Sequence, residues 1–133
     1  MRWVYIAAMR RHRVAVIDDD ESVRTALVRL FRSVDFETFA FASARSFLSE
    51  FRDLTLDCVV LDLQMPEMTG LDLQRYLTMV YPGLALPVVM ITAHDEPGTC
   101  ESCLAAGVAA YMRKPVESAQ LVEQVRKLVW TNH

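Results

Sequence analysis

Short apolar runs that stop abruptly at polar residues alternate along this chain with stretches of helical periodicity, and that alternation limits the fold more than any other feature. Parallel strands need a helical crossover between each pair, so the pattern predicts a parallel sheet wrapped by helices. Residues 14–17 form a β-branched-rich run that ends at Asp18, Asp19 and Asp20. Residues 20–34 then place Val23, Leu27, Leu30, Phe31 and Val34 at helical spacing. Residues 36–41 alternate like an outer strand, and Ser43 is a candidate N-cap for a helix turning Phe47, Leu48 and Phe51 inward. The run 58–61 is continuously apolar up to Asp62, as a strand buried on both faces requires. A loop with Pro66 and Gly70 leads to a helix over 71–80, closed by Pro82 and Gly83. The strand 88–91 ends at Thr92 and Ala93, and a weaker helix is predicted over 97–106. A strand over 108–112 runs into Arg113, Lys114 and Pro115, and a helix over 117–130 completes five β-α units.

In this reading Asp18, Asp19, Asp62, Thr92 and Lys114 all fall at or just past the C-terminal ends of strands. Those ends converge on one edge of an open parallel sheet, where ligands bind in the crevice. Three carboxylates gathered there repel one another unless a cation neutralises them. A hard, oxygen-seeking ion such as Mg²⁺ suits that donor set. Lys114 adds a positive charge and Thr92 a hydroxyl donor. The set describes a small site for a phosphoryl group. Asp20 reads as a helix N-cap, and Ala93 leaves room beside Thr92. Gly70 is expected to allow a backbone conformation that a side chain would block.

Composition narrows the function. With 133 residues, 53% of them hydrophobic, the chain fits one α/β domain with a sizeable core. A net charge of −3 without a basic stripe argues against direct nucleic-acid binding. No apolar run approaches the length of a membrane span, so a cytoplasmic location is expected. The three cysteines, with no signal peptide, read as reduced thiols. Cys100 and Cys103 form a C-x-x-C inside a predicted helix, without a second pair or a histidine cluster, which favours inert small residues over a redox or zinc site. Residues 1–12, a short apolar piece followed by basic residues, are expected to be a poorly ordered extension before a domain at 13–131.

The stretches Val14-Ala-Val-Ile-Asp18-Asp19-Asp20-Glu21, Val59-Val-Leu-Asp62-Leu-Gln-Met-Pro66-Glu-Met-Thr-Gly70, Met90-Ile-Thr92-Ala93 and Ala110-Tyr111-Met-Arg-Lys114-Pro115 together resemble the receiver domains of bacterial two-component response regulators. The resemblance runs from Arg13 to about Val129, and details such as Phe39-Ala-Phe-Ala-Ser-Ala lean toward receivers fused to a helix-turn-helix output domain. It implies a CheY-like, flavodoxin-like fold, a doubly wound five-stranded sheet of strand order 2-1-3-4-5. It also implies that Asp62 accepts a phosphoryl group from a sensor histidine kinase or phosphotransfer protein. Mg²⁺ would be held by Asp18, Asp19, Asp62 and the backbone carbonyl of Gln64. Lys114 would pair with phosphoryl oxygens, and Thr92 would hydrogen-bond them. Tyr111 would turn inward, reshaping the face of the fourth helix, fifth strand and fifth helix. A cis Lys114–Pro115 bond is expected, and Gln64 and His94 occupy positions that influence how fast the phosphoryl group is lost. The function implied is a phosphorylation switch rather than a turnover enzyme. Homodimerisation on phosphorylation, through the first and last helices or the fourth-helix face, stays open.

Rival readings fare worse. A haloacid-dehalogenase-like phosphatase would normally carry a second aspartate where Gln64 stands. A dinucleotide-binding fold would need glycines where Asp18, Asp19 and Asp20 follow the first strand. A pseudo-receiver, a binding module of the same shape that is never phosphorylated, would be expected to show a degenerate acidic pocket.

Overall fold

The computed structural model describes residues 11–131; residues 1–10 of the expected extension lie outside the described residues. Five strands, β1 (Arg13–Ile17), β2 (Glu37–Phe41), β3 (Cys58–Asp62), β4 (Val88–Thr92) and β5 (Ala110–Arg113), pair in parallel in the order β2-β1-β3-β4-β5. Five helices connect and follow them: α1 (Glu21–Ser33), α2 (Ala44–Glu50), α3 (Gly70–Val80), α4 (Thr99–Ala105) and α5 (Ser118–Thr131). A short 3₁₀ turn, Phe51–Asp53, extends α2. The α/β fold and its strand order are those the sequence predicts.

Every residue of β3 and β4 is buried, which explains why those runs read as unbroken apolar segments. Strand alternation divides the core in two. Ala15, Ile17, Val59, Leu61, Val88 and Met90 face Phe47, Leu73, Leu77 and Cys103 from α2, α3 and α4. Val14, Val16, Cys58, Val60, Val89 and Ile91 face Phe31, Leu121, Val125 and Val129 from α1 and α5. Each large apolar side chain buried in this way contributes about 1.5–3 kcal/mol. Both faces of the sheet are therefore covered, and the polar chemistry is confined to its edges.

The helix starts follow local capping. Asp20 accepts from the N–H groups of Ser22 and Val23 at 2.8 and 3.2 Å, and Ser43 accepts from Ser46 at 3.1 Å. Thr69 and Asp72 form a reciprocal capping box on α3, each side chain accepting from the other's backbone N–H at 3.1 Å.

The end of α4 differs from the expectation. The helix is shorter than the predicted 97–106, and β5 begins two residues later than the predicted 108. Gly107, at φ 99°, ends α4 by donating to the Leu104 carbonyl at 3.0 Å, while the Val108 N–H reaches Cys103 at 3.1 Å. That pair of bonds is a Schellman motif, and it ties Val108 to the helix instead of the sheet.

Gly70 also acts differently from the expectation. Its φ is not in the left-handed region, which among the glycines Gly98 and Gly107 occupy. The requirement is space: a Cβ there would sit 2.5 Å from the Asp62 carbonyl oxygen, 2.8 Å from the Met90 sulfur and 3.0 Å from Leu63 Cα. Helix α3 is thus pressed against the end of β3. Gly70→Ala is expected to cost about 1–3 kcal/mol in urea unfolding, an overpacking penalty. Gly83→Ala, where a Cβ meets nothing within 4 Å, should be close to neutral.

Candidate functional site

The crevice lies at the ends of the paired strands β1 and β3, whose outgoing connections diverge, β1 leading to β2 on one side and β3 to β4 on the other. Asp18, directly after β1, is fully buried, and Asp62, the last residue of β3, is 3% exposed. Asp18 is held on several sides. Its N–H donates to the Phe41 carbonyl at 3.1 Å, its Oδ1 accepts from the Asp20 N–H at 2.9 Å, and its carbonyl accepts from Arg24 Nη1 at 2.8 Å. Asp19 is exposed at the rim. One carboxylate oxygen from each of Asp18, Asp19 and Asp62 lies within 4.8 Å of the others.

Lys114 follows β5, anchored by its N–H to the Thr92 carbonyl at 2.7 Å. The Lys114–Pro115 bond is cis, as expected. The lysine Nζ donates to Asp18 Oδ2 and to Asp62 Oδ1, both at 3.1 Å. Burial pulls the pKa of this ammonium down, but its bonds and charge contacts with Asp18 and then Asp62 outweigh that, and the net shift is upward. Asp62 moves the other way from a typical ion-paired carboxylate. Burial, then the charge of Asp18, push it up to about 6 despite the compensation from Lys114. Three carboxylates against one ammonium leave a deficit of positive charge. The donor set, all oxygen and anionic, can hold a divalent cation of the hard class.

Thr92 reaches the same edge but is engaged elsewhere. Its hydroxyl lies 2.7 Å from Gln64 Oε1 and 2.7 Å from the His94 carbonyl, and it accepts from the His94 N–H at 3.1 Å. Tyr111 is half-buried in β5 and donates its hydroxyl to Asp95 Oδ1 at 3.0 Å. Burial, then the bond to Asp95, push the phenol up to about 12. Of the residues singled out in the sequence, Asp18, Asp19, Asp62 and Lys114 come together directly. Thr92 and Gln64 form a second polar group beside them, and Tyr111 belongs to a third with Asp95.

A family model described as the response regulator receiver domain matches residues 14–126. The chain belongs to the response regulator receiver family. It is 34% identical over 113 residues to response regulator protein TmoT of Ectopseudomonas mendocina, covering 85% of this chain and 50% of that protein. It is 34% identical over 112 residues to nodulation protein W of Bradyrhizobium diazoefficiens, covering 84% of this chain and 48% of that one. The structure of a response regulator receiver protein from Burkholderia phymatum matches with a TM-score of 0.79 at 40% identity, over 90% of this chain and 96% of that one. This receiver domain therefore spans about half the length of the curated relatives it matches.

Three contacts of the receiver site were not foreseen from the sequence. They are the Gln64 carboxamide on Thr92, Arg24 on the Asp18 carbonyl, and Asp95 on Tyr111. Each is a polar contact from a loop side chain to a strand residue or from a helix to the turn after a strand, for which hydrophobic periodicity carries no signal. The cysteines are free thiols: Cys58 and Cys103 are buried and Cys100 is half-buried in α4. Among the described residues, no helix is long and apolar enough to cross a membrane.

Two outcomes follow from the electrostatics and burial. Because folding raises the Asp62 pKa, the native state binds more protons than the unfolded one between about pH 4 and 6, and this carboxylate costs stability as pH rises through that window. In EDTA, Asp62→Asn should unfold with a free energy greater than wild type by on the order of 2 kcal/mol at pH 7, the gap closing toward pH 4. Denaturation curves across that range give the comparison. In native protein a single thiol, Cys100, should react readily with a colorimetric disulfide reagent. Burial pushes Cys58 up to about 12 and also raises Cys103, so both should wait for unfolding.

Proposed function

We propose that this receiver domain is a phosphorylation-dependent switch in two-component signalling, with Asp62 as the acceptor. The observation that carries the reading is the Lys114 ammonium bridging Asp18 and Asp62 at 3.1 Å beside a third carboxylate. A site of this kind is built to receive one further anionic group together with a cation.

In the proposed reaction an Asp62 carboxylate oxygen attacks the phosphorus of a phosphohistidine on a sensor kinase or phosphotransfer protein. The new bond is O–P; the P–N bond breaks, and the imidazole nitrogen keeps the electron pair. Lys114 engages Asp62 Oδ1, which leaves Oδ2 for the bond to phosphorus and keeps a positive charge beside the phosphoryl oxygens. Asp18, Asp19, Asp62 and the backbone carbonyl of Gln64 would hold Mg²⁺, with Asp19 from the rim and Asp18 from the buried side. When bound, the ion supplies the missing positive charge at the carboxylates and the phosphoryl oxygens.

A donor must present its phosphohistidine to a carboxylate that is almost wholly buried, so it must contact the walls of the crevice. An apolar groove lined by Val23, Leu27, Leu30, Pro115 and Val116 opens between α1 and the turn after β5, next to Lys114. It offers a partner helix a place to dock within reach of Asp62. A cytoplasmic location accords with such a partner. On phosphorylation the Thr92 hydroxyl would donate to the phosphoryl group, and Tyr111 would leave Asp95 and turn inward. The surface of α4, β5 and α5 would change with them. In longer relatives that surface has a further half of the protein to act upon, and control of a transcriptional output is the role this implies.

The test is intact mass after incubation with acetyl phosphate and Mg²⁺. Wild type should gain one phosphoryl group that hydroxylamine removes, and Asp62→Asn should gain none. No gain on wild type, under conditions that label another receiver, would make this domain an unphosphorylated binding module.

A further inference from the structure

The Gln64 carboxamide makes an arrangement that the switch described above does not require. Its Oε1 accepts from the Thr92 hydroxyl at 2.7 Å and from the Ala93 N–H at 3.3 Å. Its Nε2 donates to the His94 carbonyl at 3.4 Å, and the His94 N–H returns to Thr92 Oγ1 at 3.1 Å. One side chain thus closes a ring of hydrogen bonds over the loop that leaves β4. The amide is oriented by this ring, since its oxygen faces two donors and its nitrogen faces an acceptor.

We propose that Gln64 is a resting-state latch, its carboxamide oxygen occupying the acceptor position that a phosphoryl oxygen on Asp62 takes in the active state. The inference rests on the receiver reading and adds a residue that regulates the same site. Its basis is proton counting. Thr92 has one hydroxyl proton, for which the Gln64 carboxamide oxygen and the His94 carbonyl both stand at 2.7 Å, and its oxygen already accepts from the His94 N–H, so it cannot serve this ring and a phosphoryl group at once. The Ala93 N–H is committed to the same oxygen. Expelling the amide therefore releases the Ala93 N–H and removes one of the two acceptors that hold the Thr92 proton.

Two further observations fit a latch better than a structural brace. Gln64 is exposed although Thr92 is fully buried, so the expelled amide passes to water without opening the core. The pinned loop continues directly into Asp95, whose carboxylate holds the Tyr111 hydroxyl at 3.0 Å. Releasing the amide thus frees the segment whose carboxylate holds the half-buried Tyr111.

The experiment compares wild type, Gln64→Met and Gln64→Ala. The methionine keeps the length of the side chain and removes its hydrogen bonds; the alanine removes both. In metal-free protein, amide hydrogen exchange at Ala93 and His94 should quicken about tenfold in both variants. With Mg²⁺ and beryllium fluoride, a non-hydrolysable phosphoryl mimic, both variants should bind the mimic about three- to tenfold more tightly than wild type, the factor expected for one net hydrogen bond. Beryllium fluoride keeps any effect on phosphoryl lifetime out of the measurement. Faster exchange with unchanged or weaker binding would reduce the ring to a structural contact and overturn the latch. Tighter binding with unchanged exchange would overturn it as well, because the gain would not come from the loop. If folded wild type binds no beryllium fluoride, the receiver reading itself falls and the latch falls with it.

Discussion

The Lys114 ammonium, held between Asp18 and Asp62 at 3.1 Å from each, organises the edge of the sheet on which everything else depends. It reaches from the end of β5 across β4 to carboxylates at the ends of β3 and β1, and so spans most of the sheet with one side chain. Its worth is not chiefly stability. Taking charges out of water costs several kcal/mol per ion, and a buried pair returns that only in part. What the bridge does is orient two carboxylates that would otherwise repel one another and leave the cluster short of positive charge. The upward shift of Asp62 comes first from burial and then from the charge of Asp18, which Lys114 does not fully offset. A divalent cation would relieve the shortage of positive charge; a phosphoryl group, itself anionic, would add to it and would need that cation with it.

The fold delivers those groups through parallel pairing. Asp62 lies beside Ile91 in the register of β3 and β4, and Thr92 beside Arg113 in that of β4 and β5, so successive strand ends step along one edge. Gly70 seals the arrangement from beneath. By letting α3 start against the Asp62 carbonyl, it holds the end of β3 in place, and the capping box at Thr69 fixes where the helix begins. Asp62 is thereby mounted on a buried strand and a tightly packed helix start, elements with little freedom to shift.

This division explains what could be read beforehand. Strand runs, helix faces and the caps Asp20 and Ser43 are local, and short-range chemistry settles them. The gathering of Asp18, Asp19, Asp62 and Lys114 is long-range, yet it follows once the strands are parallel. The start of β5 is harder to read because Val108 is apolar and buried, as a strand residue would be, while its N–H belongs to a helix terminus. At Gly70 backbone freedom and close approach select the same residue, so only the structure separates the two reasons. The bond from Gln64 to Thr92 joins side chains 28 positions apart, and nothing in either neighbourhood announces it.

The contrast between a fixed acceptor and a lightly held loop gives the domain its switching character on the proposed reading. Residues 93–95, just past β4, are exposed and tied down by polar contacts, at Gln64, at Tyr111 and at Arg113, rather than by apolar burial. Two net hydrogen bonds of about 1 kcal/mol each would favour the resting arrangement by roughly 2 kcal/mol. Charge-assisted bonds from Thr92 and the loop N–H to a phosphoryl group are worth about 1.5–3 kcal/mol each. The new contacts are therefore of the right size to reverse the balance, whereas no comparable gain could repack β3 or β4. On that reading a modification at Asp62 would act at a distance because the loop it competes for ends at Asp95, the residue holding Tyr111.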